Sequence, residues 1–286
     1  MKKVSIWIEA FRLRTLPLAL SSAILGSFLA FARGEFHWYI LVLALLTTLF
    51  LQILSNLAND YGDAMHGTDN EERLGPQRIT QSGLVSKRQM QAMILLFVSL
   101  SLISGSLLIF AGLRSVGWKP ILFFFILGLS AITAAIKYTI GKNPYGYIGL
   151  GDVFVFLFFG ILGVAGTYYL HTRSLDPWIL FPASAIGLLS SGVLNLNNMR
   201  DIENDARSGK RTLVVHIGSK AAKIYHMMLI ILSIVFSLVY TIVKFNSVYQ
   251  FLFMLTCPLF ALNIFVVMRN TDPGELNREL KKLALS

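Results

Sequence analysis

The sequence predicts an all-α protein, a bundle of helices that crosses a membrane several times. Of its 286 residues, 55% are hydrophobic and only 14% are charged, whereas soluble proteins carry about 25% charged residues. Apolar windows long enough to cross a hydrocarbon core, which takes about 20 helical residues, recur along the chain. The loops between them alternate between basic and nearly uncharged, a pattern typical of polytopic membrane proteins.

Eight windows are predicted as spans, and together they form a single domain over residues 1–286. The windows are 15–32, 37–59, 90–113, 120–137, 152–171, 177–198, 224–243 and 246–268. The segment SIWIEAFRLR before the first span is predicted as a helix at the membrane interface. Two long polar loops, about 60–89 and 199–223, follow the second and sixth spans and are predicted to cap the bundle.

The basic residues predict the orientation of the chain. With the N-terminus in the cytoplasm, 20 of the 25 Lys and Arg residues lie on the cytoplasmic side, as the positive-inside rule requires. The net charge of +10 therefore reflects topology in the lipid bilayer, and it gives no reason to expect nucleic acid as a partner. The lone Cys257 fits neither a disulfide nor a metal-ligand spacing.

Two Asn/Asp clusters, each at the end of an apolar span, carry the functional signal. Asn56, Asp60 and Asp63 are spaced i, i+4, i+7, and Asn197, Asp201 and Asp205 are spaced i, i+4, i+8, so each set is predicted to share one helix face. Each face would present an amide and two carboxylates, ligands that suit Mg²⁺ together with phosphate oxygens. The alternative is that these acids only cap helices or solvate loops.

The two clusters also suggest that the bundle consists of two related halves. Asn56 and Asn197 lie 141 residues apart, as do Asp60 and Asp201, and the spans that carry them are four helices apart. We therefore predict two pseudo-repeated four-helix halves. Two acidic faces brought together could hold two ions with one diphosphate between them.

A diphosphate would also need cations, and basic residues are predicted on the same side of the membrane as the acids. Charge-assisted contacts from them would stabilise the negative charge on a departing diphosphate, although each could instead be only a positive-inside loop residue. The candidates are Arg14, Arg73, Arg78, Lys142 and Arg211. Tyr138 and Lys142 are predicted to lie one helical turn apart in the re-entrant stretch KYTIGKNPYGYIGLGD. The Phe-rich stretches 123–125 and 154–159 would either line a tunnel for an apolar chain or pack against lipid.

Three motifs of the sequence resemble the UbiA superfamily of intramembrane aromatic prenyltransferases. The first signature corresponds to NLANDYGD at 56–63, with GTD at 67–69 and RLGPQRITQSG at 73–83. The second corresponds to NNMRDIEND at 197–205, followed by SGKRTL at 208–213. The Tyr-x-x-x-Lys element corresponds to YTIGK at 138–142. The sequences NDYGD, GPQR and GKNPYGYIGLGD are most similar to the branch that makes menaquinone.

The resemblance implies a fold, a reaction and a set of site residues. It implies an integral protein of the bacterial cytoplasmic (inner) membrane with its site toward the cytoplasm, and a ninth span, expected beyond residue 286. A polyprenyl group would pass from polyprenyl diphosphate to 1,4-dihydroxy-2-naphthoate, with loss of CO₂ and diphosphate, giving demethylmenaquinone. Two Mg²⁺ ions would be held by Asn56, Asp60, Asp63, Asp69, Asn197, Asp201 and Asp205. Asp60, Asp201, Tyr138 and Lys142 would act in catalysis. Ala64 occupies the position where the stricter family spacing has an acid, so that Asp63 and Asp69 would substitute.

Two alternatives to this function remain at the level of sequence. One is a prenyltransferase of the same superfamily with another aromatic acceptor, such as 4-hydroxybenzoate. The other is an ion-coupled transporter in which the paired carboxylates form a cation site, although transporters place such sites near the midplane on broken helices, and here the acids lie at span ends.

Overall fold

The computed structural model describes residues 3–68, 74–75 and 78–286, without the side chains of residues 3–5 and 14. Every regular element in this part of the chain is helical, with no strand. In chain order the α-helices begin with α1 (Lys3–Phe11), α2 (Leu16–Ala32), α3 (Trp38–His66), α4 (Lys87–Leu113) and α5 (Trp118–Lys137). The fifth crossing consists of α6 (Gly151–Val155), a π-helical segment (Phe156–Gly166) and α7 (Thr167–Thr172). Then follow α8 (Leu180–Arg200), α9 (Ile202–Arg207), α10 (Leu213–Val243), α11 (Cys257–Arg269) and α12 (Leu276–Leu285).

Each predicted span corresponds to a helical segment of the described chain, and several of these segments differ in length from the predicted window. Seven helical segments of the described chain, of 20 to 31 residues, are long and apolar enough to cross a membrane. The first predicted span is α2, a shorter apolar helix of 17 residues, which extends about 26 Å at 1.5 Å per residue. The segment predicted to lie at the membrane interface is helical in its first part, as α1. The last predicted span begins with 3₁₀ turns at Val248–Thr256.

Two helices extend well beyond their predicted apolar windows at the end of the bundle where α3 and α8 finish, here called the acidic end. Helix α3 continues to His66, so the predicted acids stand on a continuous helix. Helix α10 begins at Leu213 rather than near 224 and is kinked at Gly218, whose φ is 78°. A capping box of Ser86 and Gln89 starts α4, which satisfies two backbone N–H groups at that end.

Helix packing repeats between the two halves of the chain. Helix α3 packs along α4, and α8 packs along α10. Helix α2 contacts α3, as the π segment contacts α8. At Gly160, an added Cβ would lie 2.7 Å from the Cα of Gly187, so these two glycines let the π segment and α8 approach at backbone distance.

The last described helix, α12, is amphipathic and packs against α8 and α11. Leu276, Leu283 and Ala284 are buried, since positions i, i+7 and i+8 share a helix face. The buried carboxylate of Glu279 accepts a hydrogen bond from Asn263 of α11 at 3.0 Å. The ninth span expected beyond residue 286 stays a prediction.

Candidate active site

A cavity of about 640 Å³ lies among α2, α3, α5, the π segment and α8. Its volume is within the range of about 300–1,000 Å³ that small-molecule sites occupy. At the acidic end its walls are polar and charged, with Asn56, Asp60, Asp63, Arg78, Asn197, Arg200 and Lys210. Away from that end the walls are aliphatic and aromatic, with Phe124, Phe154, Phe158, Phe159, Leu162 and Leu170. One continuous space therefore has a polar end and an apolar end.

The Phe-rich stretches divide between the cavity wall and the outside of the bundle. Phe124 lines the cavity, whereas its neighbours Phe123 and Phe125 are 59% and 38% exposed on the outside of the bundle. Phe158 and Phe159 line the cavity from the π segment. This wider helix form is rare and is frequently found at functional sites.

The first predicted cluster lies together on α3, facing the cavity. Asn56, Asp60 and Asp63 are each no more than 4% exposed, and all three line the cavity wall. Asn56 donates to the carbonyl oxygen of Phe11 at 3.0 Å, which ties the end of α1 to α3. The prediction that these three residues share one helix face is confirmed.

The carboxylates of this cluster also hold the loop that follows α3. The two oxygens of Asp60 accept the backbone N–H groups of Ile79 at 3.1 Å and Thr80 at 3.0 Å. Asp63 pairs with Arg78 at 3.3 Å, both side chains being at most 8% exposed. Such charge-assisted hydrogen bonds are stronger than neutral ones, so the loop and the helix form one polar wall.

The second predicted cluster differs, because the helix that carries it is broken. Helix α8 ends at Arg200, and Asp201 has φ −98° and ψ 12° before α9 begins. The prediction of one continuous helix through Asn197, Asp201 and Asp205 is therefore wrong. The i to i+4 spacing persists in the backbone, since Asp201 N–H donates to Asn197 at 3.3 Å and Asp205 N–H to Asp201 at 2.8 Å.

Arg200 was not among the predicted site residues, yet it binds most of this second cluster. Its guanidinium forms a two-pronged ion pair with Asp201 and donates to the Asn197 amide oxygen at 2.8 Å. A third contact, at 2.9 Å, reaches Asn277 of α12. The planar fork of arginine matches a carboxylate in this way, and lysine does not. The position of Arg200 directly before Asp201 was the signal available in the sequence.

Lys210 is the second residue that the sequence analysis missed, and it lies between the two clusters. Its ammonium is 3.8 Å from a carboxylate oxygen of Asp63 and 3.7 Å from one of Asp205. The adjacent Arg211, which was predicted to bind diphosphate, is exposed and is not among the residues that line the cavity. Gly209, with φ 78°, turns the chain just before this pair, and the turn directs Lys210 inward.

The Tyr-x-x-x-Lys element is divided by the end of α5. Tyr138 lines the cavity, but Lys142 is exposed. The predicted helical turn between them is wrong, because α5 ends at Lys137 and Gly141 has φ 121°. Burial raises the pKa of Tyr138, and the carboxylates of Asp152, Asp63 and Asp205 raise it further. The phenol therefore stays protonated near neutral pH and can donate a hydrogen bond into the cavity.

The remaining predicted residues divide into those the structure places and those it does not. Arg78 lines the cavity and is 7% exposed. Asp69 and Arg73 lie outside the described residues, as does the side chain of Arg14. Arg12, close to it in sequence, lines the cavity with a left-handed backbone, φ 51°, a strained conformation that is found often at functional sites.

The fold and this cavity define a class of membrane protein, and comparison with known proteins identifies it. The sequence profile of the UbiA prenyltransferase family matches residues 19–285. The chain belongs to this family.

Two bacterial relatives are similar over nearly the whole chain. The 1,4-dihydroxy-2-naphthoate octaprenyltransferase of Haemophilus influenzae is 44% identical over 99% of this chain and 92% of its own length. The protein of the same name from Escherichia coli K12 is 42% identical over 99% of this chain and 91% of its own.

Solved structures of archaeal UbiA homologues share the fold. The Aeropyrum pernix homologue in its apo form superposes with a TM-score of 0.68 at 16% identity, covering 95% of this chain and 94% of its own. An Archaeoglobus fulgidus homologue bound to GPP and Mg²⁺ gives a TM-score of 0.66 at 16% identity, covering 98% and 95%.

Proposed function

We propose that the chain transfers a polyprenyl group from polyprenyl diphosphate to 1,4-dihydroxy-2-naphthoate, releasing diphosphate and CO₂ and giving demethylmenaquinol, the reduced form of demethylmenaquinone. The observation that carries this proposal is the cavity with one polar end and one apolar end. The acids and cations of its polar end suit a diphosphate, and its aromatic walls suit an isoprenoid chain. The acceptor is taken from the two relatives of 42–44% identity, whose names state that acceptor and an octaprenyl donor.

The residues at the acidic end fit a divalent metal bound together with diphosphate. Two Mg²⁺ ions are proposed, one beside each cluster, with Asn56, Asp60 and Asp63 on one side and Asn197, Asp201 and Asp205 on the other. Among the described residues no group of three His, Cys, Asp or Glu side chains lies close enough together to hold an ion by itself. Each Mg²⁺ would therefore take one or two of these carboxylates and complete its coordination with water and substrate phosphate. When bound, Mg²⁺ would neutralise charge on the diphosphate as the allylic C–O bond breaks.

The side chains of this protein would perform the other steps. Lys210 and Arg78 border the polar end of the cavity and would stabilise the negative charge of the departing diphosphate. Tyr138, protonated, would donate to an oxygen near the breaking bond. The apolar walls would exclude water from the allylic cation. The electron-rich naphthoate ring would then attack this cation at the carbon that bears the carboxylate, and loss of CO₂ would restore aromaticity.

The location that we propose follows from the basic residues of the sequence. The acidic end would face the cytoplasm of a bacterial cell from its cytoplasmic membrane, with the N-terminus on the same side. The support is that Arg78, Arg200 and Lys210 are at this end, together with most of the other basic residues, as positive-inside topology requires.

A product assay tests the proposal. Purified protein in detergent would receive MgCl₂, a polyprenyl diphosphate and either 1,4-dihydroxy-2-naphthoate or 4-hydroxybenzoate, with products identified by mass spectrometry. We expect a decarboxylated, prenylated naphthoquinol, and none when EDTA is added. Prenylated hydroxybenzoate instead would overturn the acceptor, and cation flux in vesicles without any prenylated product would favour a transporter.

A further inference from the structure

Tyr147, in the stretch GKNPYGYIGLGD, connects to the first acidic cluster through its hydroxyl group. Its side chain is buried, with 8% exposed. Its hydroxyl oxygen lies 2.8 Å from a carboxylate oxygen of Asp63 and 2.6 Å from the hydroxyl of Thr68. An ionised carboxylate only accepts hydrogen bonds, so the single phenolic proton goes to Asp63 and Thr68 must donate to Tyr147. The chain of donors thus runs from Thr68 through Tyr147 to Asp63.

The same residue contacts the second signature through its backbone and its ring. The carbonyl oxygen of Tyr147 accepts the N–H of Arg211 at 2.9 Å. The ammonium of Lys210 lies 5.3 Å from the centre of its ring, within the range of a cation–π contact. The backbone carbonyl of Thr68 accepts from Asn204 of α9 at 2.8 Å. Tyr147 and Thr68 are therefore where the two signatures meet.

We propose that Tyr147 is a positioning residue that orients Asp63 and Lys210 and thereby fixes how the two acidic clusters face each other. The inference rests on the proposed function, because the object positioned is the metal–diphosphate site. Residues that hydrogen-bond to metal ligands set ligand orientation, and their loss typically costs about 10–100-fold in metal affinity or activity. Tyr147 is such a residue for Asp63, because its hydroxyl donates to that carboxylate.

The test compares two variants that each remove one phenolic hydroxyl. Tyr147→Phe keeps the ring beside Lys210 and removes the hydroxyl, and with it the hydrogen bonds to Asp63 and Thr68. Tyr61→Phe is the matched control, because Tyr61 is on α3, the helix that carries Asp63, and its hydroxyl accepts from Gln91 at 2.8 Å, away from the cavity. For each protein, thermal unfolding in detergent is measured during titration with MgCl₂ in the presence of inorganic pyrophosphate. Prenyl transfer is measured over the same Mg²⁺ range.

The expected result is a change in Mg²⁺ dependence in one variant alone. Tyr147→Phe should raise the Mg²⁺ concentration for half-maximal thermal stabilisation by about 10–100-fold, and should shift the activity curve more than it lowers kcat at saturating Mg²⁺. Tyr61→Phe should leave both curves unchanged. Thr68→Val should weaken Mg²⁺ binding in the same direction, and Thr68→Ser, which keeps the hydroxyl, should bind as the wild type does.

Two results would overturn the inference. One is a Tyr147→Phe protein that unfolds at a lower temperature without Mg²⁺ but keeps the wild-type half-maximal concentration, which would assign the hydroxyl a purely structural role. The other is a wild-type protein without any Mg²⁺-dependent stabilisation. A wild type that shows this stabilisation but makes no prenylated product would instead count against the proposed function alone.

Discussion

The two acidic clusters are related by sequence spacing but differ in what their carboxylates contact. On α3, Asp60 accepts two backbone N–H groups and Asp63 shares its oxygens among Arg78, Lys210 and Tyr147. After α8, Asp201 forms a two-pronged ion pair with Arg200, and Asp205 pairs with Lys210. The first cluster is thus tied to a loop by backbone N–H groups, whereas the side-chain contacts described for the carboxylates of the second come from two cations. A metal ion approaching the second cluster would have to compete with Arg200.

The largest effect is expected from removing the central carboxylate of either cluster. Asp60→Ala and Asp201→Ala should each lower kcat at least about 10²–10³-fold, the usual cost of losing one group that stabilises transition-state charge. Cys257→Ala, on the last crossing, should retain nearly full activity. Product formation by mass spectrometry is the measurement. An Asp201→Ala protein with full activity would remove the second cluster from the site.

Arg200→Leu should show most clearly that Asp201 of the second cluster depends on a side-chain cation in the absence of metal. The change leaves the buried carboxylate of Asp201, 5% exposed, without its main partner, which should cost about 3–5 kcal/mol of unfolding free energy. Because a cation can replace the lost charge, Mg²⁺ should recover more stability in this variant than in the wild type. Thermal unfolding with and without MgCl₂ measures both effects. Equal Mg²⁺ responses would show that Arg200 and the metal do not compete.

A smaller difference is expected between two adjacent basic residues, Lys210 and Arg211. Lys210→Met removes the cation that lies between Asp63 and Asp205 and should lower kcat/KM for the diphosphate substrate by about 10-fold or more, since each 1.4 kcal/mol of lost stabilisation is a factor of ten. Arg211→Met, at an exposed site, should have the weaker effect. A reversal of this order in steady-state kinetics would return the diphosphate role to Arg211.

The smallest effect concerns an acid in a partly exposed ion pair at the opposite end of the bundle. Burial raises the pKa of Asp176, but the hydrogen bond and charge of Lys244, 2.7 Å away, the backbone N–H of Trp178 and the charge of Arg33 together outweigh it and leave the pKa below its ordinary value of 3.8. The contribution of ionised Asp176 to the stability of the fold is therefore present above pH 3.8, the ordinary pKa. It is lost as the pH falls through the lower pKa of the folded state. Asp176→Asn should cost less than about 1 kcal/mol, as exposed pairs do, and should abolish this part of the acid dependence in pH-resolved thermal unfolding.

Most of the fold could be predicted from the sequence, because apolar length and charge placement directly constrain a membrane protein. Hydropathy located the crossings, and the i, i+4 spacing placed Asn56, Asp60 and Asp63 on one face. Helix ends were harder to predict. Helix α3 continues seven residues past its apolar window, since its last two turns bury polar side chains against loops rather than lipid.

The contacts of the site were less predictable, because they depend on backbone turns that spacing does not reveal. Gly141 and Gly209, both with left-handed φ, decide that Lys142 faces outward and Lys210 inward. The break at Asp201 could not be predicted from the spacing, because the i to i+4 backbone hydrogen bonds continue across the break. Tyr147 was inside a motif that the sequence analysis singled out, but the link to Asp63, 84 residues away, exists only in three dimensions.

The apolar part of the cavity has a consequence for how the affinity for the donor depends on the length of its tail. Bilayer hydrocarbon is as apolar as the side chains of these walls, so an isoprenoid tail gains little free energy when it moves from lipid into the protein. Affinity must then come from the diphosphate end, and KM should vary only weakly among donors that fit. The apolar walls would then serve mainly to keep water away from the reacting carbon, and the strength of binding would be set at the polar end of the same space.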